Sequence, residues 1–332
     1  MYHCEGVASW CCRCYRLPCH QNGNRVGLNS AHLYALLEAI RMTFDQVVFA
    51  GGGNRCWWQA GFWHALEERF SQNPQLITAV SAGAATACLM FTRPGILGAQ
   101  GTLNYYERLL KDISKNAYWV NLFTSKSVFP HYELYKNVLT HVIGERFDLL
   151  KTAPPIKIGL ARAPQILGAY GAVFVGLLAY NLEKRLKKSL HPEFGEALGF
   201  SREFISTHEC ENAEQLVELI LQSSCTPPFT PIMKRDGNVV LDGGLVDNVP
   251  IDGLNPSSCQ AKVLVLLTRC YDYPPVFKRK VGFLELTYVQ PSHQVPISSW
   301  DYSRQYLMPI TYEQGLKDAQ NYITSGILQE NT

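Results

Sequence analysis

Charge is scarce in this chain. Asp, Glu, Lys and Arg make up 17% of the 332 residues, against about a quarter in an ordinary globular protein. The formal net charge is only +2, so bulk electrostatics exclude a dedicated nucleic-acid binder. There is no internal repeat, no low-complexity tract and no linker that divides the chain. The N-terminus lacks a continuous apolar stretch of the kind that opens a secretory leader, and none is expected. Phosphate-binding fingerprints are missing as well. The glycines at 51–53 are not followed by the Gly-Lys-Ser/Thr of a P-loop. A dinucleotide fold would need a further glycine where Cys56 stands, and an acidic residue closing the next strand.

What is present is apolar. Hydrophobic residues reach 47% and aromatic residues 11%, enough for a sizeable core. Together with so little charge, this composition suits an apolar substrate or a membrane face. Five of the eleven cysteines (Cys4, Cys11, Cys12, Cys14 and Cys19) crowd the start of the chain. Residues 1–42 read as a poorly ordered Cys-rich extension, and Met42 stands just before the first predicted strand. A zinc site from His3, Cys4, Cys11, Cys14 and Cys19 lacks paired Cys-x-x-Cys spacing, and S-acylation of the cluster is the other alternative. The remaining six cysteines are scattered, mostly in apolar surroundings, and read as reduced core residues of a cytoplasmic protein.

Short apolar runs alternate with helical patterns. Strands are predicted at 44–50, 75–80, 156–161, 202–206, 239–241 and 262–268, and helices at 55–70, 82–91, 103–113, 132–143, 213–223 and 312–323. Residues 271–309, rich in Pro, Tyr and Ser, read as loop. This alternation predicts an α/β fold in three layers, α/β/α, around a mostly parallel sheet. Within a hydrophobic-basic segment at 163–200, residues 166–182 carry no charge, and Lys184, Arg185, Lys187 and Lys188 follow. A 17-residue helix spans about 25 Å, short of the roughly 30 Å hydrocarbon core. It reads as a buried helix, an interfacial element or a span.

Three places carry candidate chemistry. The first, Gly51-Gly52-Gly53-Asn54-Arg55, follows a strand and precedes a helix. Bare amides there form an anion nest or an oxyanion hole, unless the glycines only make a tight turn. The second, Ala79-Val80-Ser81-Ala82-Gly83, sits at a strand-to-helix turn. It follows the Gly-x-Ser-x-Gly pattern that exposes a nucleophilic serine, except that alanine replaces the first glycine; an N-cap serine is the plainer reading. The third is Asp242-Gly243-Gly244 at the end of an apolar run, either a carboxylate that others can approach closely or a hairpin turn. His293 lies after Asp242, so a Ser-His-Asp order also stays open.

In this order and spacing, these pieces resemble the patatin-like phospholipase family. The resemblance covers about residues 47–251. It includes Gly51-Gly52-Gly53-Asn54-Arg55 with Gly61, Val80-Ser81-Ala82-Gly83-Ala84, the Ser- and Pro-rich residues 223–231, and Asp242-Gly243-Gly244-Leu245-Val246-Asp247-Asn248-Val249-Pro250. It implies a patatin-like catalytic domain over 43–332 and a lipid acyl hydrolase of the phospholipase A or lysophospholipase type. Ser81 would be the nucleophile and Asp242 its base, with neither metal nor other cofactor. The oxyanion hole would come from the 51–53 turn, chiefly the amides of Gly52 and Gly53, helped by Arg55. Gly83, Gly243 and Gly244 would support the two turns, and Asp247 would tie down its own. The implied partners are a phospholipid or other acyl ester and a membrane surface touched peripherally. A catalytically weak lipid-binding protein on the same fold is the rival reading, motivated by Ala79 and the 166–182 run.

Overall fold

A computed structural model describes residues 43–124, 127–164, 171, 190–191, 194–256 and 259–328. The N-terminal cysteine cluster, and the 166–182 run apart from Gly171, lie outside these residues, as does the basic stretch that follows. Among the described residues no helix is long and apolar enough to cross a membrane.

Among the described residues nine strands make one mixed sheet: β1 (Gln46–Phe49), β2 (Leu76–Val80), β3 (Ile156–Arg162), β4 (Ser201–Ser206), β5 (Met233–Arg235), β6 (Asn238–Asp242), β7 (Ala261–Leu266), β8 (Val276–Val281) and β9 (Leu284–Val289). The middle is parallel, in the order β3-β2-β1-β7-β9. Antiparallel strands finish it: β8 on β9, β4 and β6 on β3, and β5 on β6. Seven helices are used below: α1 (Trp57–Arg69), α2 (Ala82–Thr92), α3 (Gly95–Leu110), α4 (His131–Ile143), α5 (Phe147–Thr152), α6 (Ala213–Ser223) and α7 (Leu307–Thr324).

Period-two alternation in β1 explains why the sheet is covered on both sides. Val47 and Phe49 enter a large core with residues from α1 to α7, whereas Val48 and Ala50 enter a second core with Val249, Leu254, Val263, Val265 and Leu286. The result is the expected mostly parallel α/β/α arrangement.

Two sequence expectations change. Residues 271–309 are not all loop, because β8 and β9 lie within them. Every residue of β9 is buried, while β8 is an edge strand that carries three consecutive basic residues, Lys278, Arg279 and Lys280. The scattered cysteines also divide: Cys56, Cys88, Cys210 and Cys225 are buried, but Cys259 and Cys270 are exposed.

One detail of the sheet brings two distant strand ends together. β4 pairs along β3 from Lys157 to Arg162, which occupies one edge of that strand. On the opposite edge β2 pairs with Ile156–Gly159, ending at Val80 beside Gly159. From Leu160 to Arg162 the same edge is taken by β6, running the other way and ending with Asp242 beside Leu160. The two strands therefore meet end to end, and the residues at the meeting point are Ser81 and Asp242.

Candidate active site

The chain leaves β2 through a sharp turn. Ser81 has φ 54° and ψ −135°, a region that costs a non-glycine residue about 1–3 kcal/mol and persists only where surroundings enforce it. Two features enforce it. The Ser81 amide donates to the Ser223 hydroxyl at 2.8 Å, and that hydroxyl donates to the Gly159 carbonyl at 2.7 Å. On the far side of the turn, α2 packs directly onto β1. A Cβ on Gly83 would lie 2.6 Å from the carbonyl oxygens of both Phe49 and Ala50, so only glycine lets the helix approach this closely.

From the opposite strand end, Asp242 accepts a hydrogen bond from Ser81 Oγ on Oδ2 at 2.6 Å. Its Oδ1 accepts the Gly244 amide at 2.7 Å. Burial pushes the carboxyl up to about 6, against the hydrogen bonds from Ser81, the Gly244 amide and Thr226, which hold it down. Gly243 fits against the Gly159 carbonyl and Val80, where a Cβ would collide with both. Asp242-Gly243 is thus a one-turn 3-10 segment (Gly243–Leu245) and not a hairpin. A serine hydroxyl donating to a carboxylate whose pKa lies near neutrality can lose its proton to that carboxylate when an electrophile arrives.

The glycine turn after β1 lies beside this pair and lines the same cavity. Of the three glycines, Gly51 is no free donor: its amide donates to the Asn248 carbonyl at 3.0 Å. Among the described residues the Gly52 and Gly53 amides meet no protein acceptor. Gly53 has φ +57° and packs against the Ser299 carbonyl, so the turn requires glycine there. Arg55 faces the cavity, with Nε donating to the Gly52 carbonyl at 3.3 Å.

Two cavities meet at Ser81, and both are bordered by Gly53, Ser299 and Trp300. One carries Arg55, Thr226, Asp242 and Asn248 on its wall. The other runs between α2, α3 and α4 and is walled by Ala85, Leu89, Tyr106, Leu139 and Val142, with Trp57 from α1. Its wall is mainly hydrocarbon and aromatic ring, with Thr86, Thr102 and Ser224 among the polar side chains that also border it.

Ser81, Asp242, Gly52, Gly53, Arg55 and Gly244 all border the first cavity, although 161 positions separate the serine from the aspartate. Ala79 is fully buried in β2, in register with Phe49 and Ile158. It has no positive φ, so the alanine sits there without backbone strain. His293 is outside this group and shares a hydrogen bond with the Ser292 hydroxyl at 2.9 Å. Asp247 Oδ1 accepts the Val249 amide at 3.0 Å, within its own turn. Trp58 and Trp63 are fully buried packing residues, while Trp57 also reaches the apolar cavity.

Sequence reasoning placed Ser223 and Asn248 within the family motifs without giving either a role at the site, and it missed the wall formed by Ser299 and Trp300. Ser223 ends α6 on its buried side, a position that fits its contact with the Ser81 turn. Ser299 and Trp300 come from the stretch read as loop and are fastened to the glycine turn, through Asn54 N to the Ser299 carbonyl at 3.0 Å and Asn54 Nδ2 to the Asp301 carbonyl at 3.0 Å.

Comparison with known proteins bears on this arrangement. No curated protein sequence matches the chain. Among solved structures, that of VipD from Legionella pneumophila is similar, at 12% identity and a TM-score of 0.43, covering 85% of this chain and 67% of that one. A family model described as patatin-like phospholipase matches residues 47–255. That span begins in β1, takes in both turns of the site and ends beyond Asp242, and it is more than half of the sequence. The chain belongs to the patatin-like phospholipase family, a family of lipid acyl hydrolases.

Proposed function

We propose that this protein hydrolyses fatty-acyl esters of phospholipids or lysophospholipids through a Ser81 acyl-enzyme, with Asp242 as the base. The observation that carries the reading is the 2.6 Å hydrogen bond from Ser81 Oγ to Asp242 Oδ2. It lies where two free amides and an apolar cavity converge.

The acyl chain lies in the cavity between α2, α3 and α4, and the ester carbonyl sits over Ser81. As Ser81 Oγ bonds to the carbonyl carbon, its proton passes to Asp242 and the carbonyl oxygen becomes an oxyanion. The Gly52 and Gly53 amides donate to that oxyanion, a contribution of the kind worth about 10²–10³ in rate per donor. The C–O bond to the alcohol then breaks, and Asp242 returns its proton to the departing oxygen. The alcohol leaves through the more polar cavity bordered by Arg55, Thr226 and Asn248. Water attacks the acyl-enzyme in the second half, giving one proton to Asp242, which passes it to Ser81 Oγ as the fatty acid is released. An Asp242 carboxyl near 6 is mostly ionised at neutral pH yet basic enough to take part.

The rival picture of a catalytically weak lipid binder drew on Ala79 and on the 166–182 run; Ala79 is buried without backbone strain, and the run lies outside the described residues apart from Gly171. A fluorogenic acyl ester tests the proposal. Turnover should vanish in Ser81→Ala and Asp242→Asn and persist in His293→Ala. Normal turnover in Asp242→Asn would refute the dyad, and no turnover of any ester or phospholipid by the native protein would favour binding alone.

A further inference from the structure

Between α3 and α4 the chain puts apolar side chains into solvent. Trp119 is 63% exposed, Val120 74%, Leu122 64% and Phe123 93%, all within the 3-10 segment Trp119–Phe123. Elsewhere among the described residues no five-residue stretch exposes more than two large hydrophobic side chains. A monomeric protein rarely leaves such a run in water without a use for it.

This segment is the tip of a closed loop. The Tyr118 amide donates to the Val128 carbonyl at 2.8 Å, and Asn121 Nδ2 donates to the Ser127 carbonyl at 2.7 Å. Both feet of the loop stand on the wall of the site. On the incoming side, Asn116 Nδ2 donates to Asp301 Oδ1 at 3.1 Å, and Asn116 Oδ1 accepts the Tyr302 amide at 2.8 Å. On the outgoing side, His131 Nε2 donates to the Trp300 carbonyl at 2.9 Å. Aromatic rings run unbroken from tip to wall: Trp119 on Phe129 at 5.9 Å, Phe129 on Phe229 at 5.0 Å, and Phe229 stacked on Trp300 at 5.1 Å. Trp300 borders both cavities at Ser81.

We propose that Trp119–Phe123 is a docking element for a phospholipid bilayer, inserting its apolar side chains at the interface and seating the Trp300 rim of the site against the surface. The choice of a bilayer as occupant rests on the acyl-hydrolase reading, since the patch is continuous with the mouth through which a lipid chain must enter. The chemistry fits as well. Trp and Phe beside aliphatic residues suit the headgroup–acyl boundary. Exposed Lys111 and Lys115, with Asp112 between them, stand in the approach to the loop, where cations favour an anionic leaflet.

The test is flotation of the full chain with phosphatidylcholine–phosphatidylserine vesicles. Leu122→Ser with Phe123→Ser removes two adjacent exposed apolar groups and no core packing. The vesicle-bound fraction should fall ~10-fold or more, while hydrolysis of a short-chain ester free in solution is unchanged. Phe123→Leu, which stays apolar, should keep most of the binding. Brominated lipids should quench more of the tryptophan emission of the native protein than of Trp119→Phe. Equal flotation of the native and double-serine proteins overturns the proposal. So does a native dimer that the double substitution dissolves without changing flotation, because the patch then belongs to a second copy. A chain that floats through this loop yet hydrolyses no ester leaves the docking element standing and removes the proposed reaction instead.

Discussion

The two strand ends that meet on the edge of β3 are built differently. The β2 end is local and strained. β1, the glycine turn, α1, β2 and α2 follow one another, and Ser81 is held at φ 54° by the Ser223 hydroxyl and by α2 lying on β1. The β6 end is remote and relaxed. Asp242 arrives antiparallel, with φ −49° and its carboxylate bridging Ser81 and the Gly244 amide. In our account the first end contributes position and the second contributes environment: a hydroxyl that must point one way, and a carboxyl whose affinity for protons is set by burial. Changes at the first end should therefore lower the rate at every pH, and changes at the second should also alter the pH dependence.

The largest effect should come from Ser81→Ala, which leaves no nucleophile. Fluorogenic ester turnover should fall at least ~10³-fold at all pH values, with the fold retained by circular dichroism. Asp242→Asn should lose a comparable factor near pH 8 and also flatten the profile. In the native protein kcat/KM should rise as pH passes through about 6, as the carboxylate ionises. Stability should move the opposite way. The folded carboxyl lies above its ordinary value, so between the two values the native state binds more protons than the unfolded state. The associated stability is fully present at low pH and is lost as pH rises through about 6. Removing the charge should accordingly raise the melting temperature of Asp242→Asn at pH 8, by a stabilisation of roughly 1–3 kcal/mol, and much less at pH 4.5.

A smaller effect tests the positional end alone. Ser223→Ala leaves the buried Ser81 amide and Gly159 carbonyl without their shared partner, at a cost of roughly 1–3 kcal/mol. Ester turnover should fall about tenfold for each 1.4 kcal/mol lost from the aligned state, with the midpoint near pH 6 unchanged. A shifted midpoint would mean that the two ends are not separable. The mildest change lies beyond both ends: Ala85→Leu narrows the apolar cavity one turn into α2. Hydrolysis of long-chain esters should fall relative to butyrate esters by a few-fold, an effect of order 1 kcal/mol; equal losses on both would place the acyl chain elsewhere.

Much of the local end was legible in the sequence, because its signals are local. Apolar strands ending in Gly51-Gly52-Gly53 and in Ser81-Ala82-Gly83 announce turns and helix starts by residue size alone. The helix predicted over 213–223 occupies those residues, and the strand ending at Asp242 is where its apolar run placed it. What no local pattern carries is the arrangement of β2 and β6 end to end on β3, which is a tertiary fact. Nor does residue type reveal that the Gly51 amide is taken by Asn248, or that Ser223 holds the nucleophile turn. The stretch over 271–309 misled for a different reason. Pro274 and Pro275 on one side, and Pro291 and Pro296 on the other, bracket β8 and β9 closely. Composition averaged over that window hides two six-residue strands, although the run Leu284–Val289 alone reads as a buried one.

The central claim is that the hydroxyl of one strand end is activated by the carboxylate of the other. It is tested most directly by the rate at which a soluble alkyl phosphonate ester modifies the protein, followed by peptide mass against pH. The account predicts a single modified residue, Ser81, with a rate that rises through a midpoint near pH 6 and loses that rise in Asp242→Asn. Modification of Ser81 at an undiminished, equally pH-dependent rate in Asp242→Asn, or its collapse in His293→Ala, would contradict it.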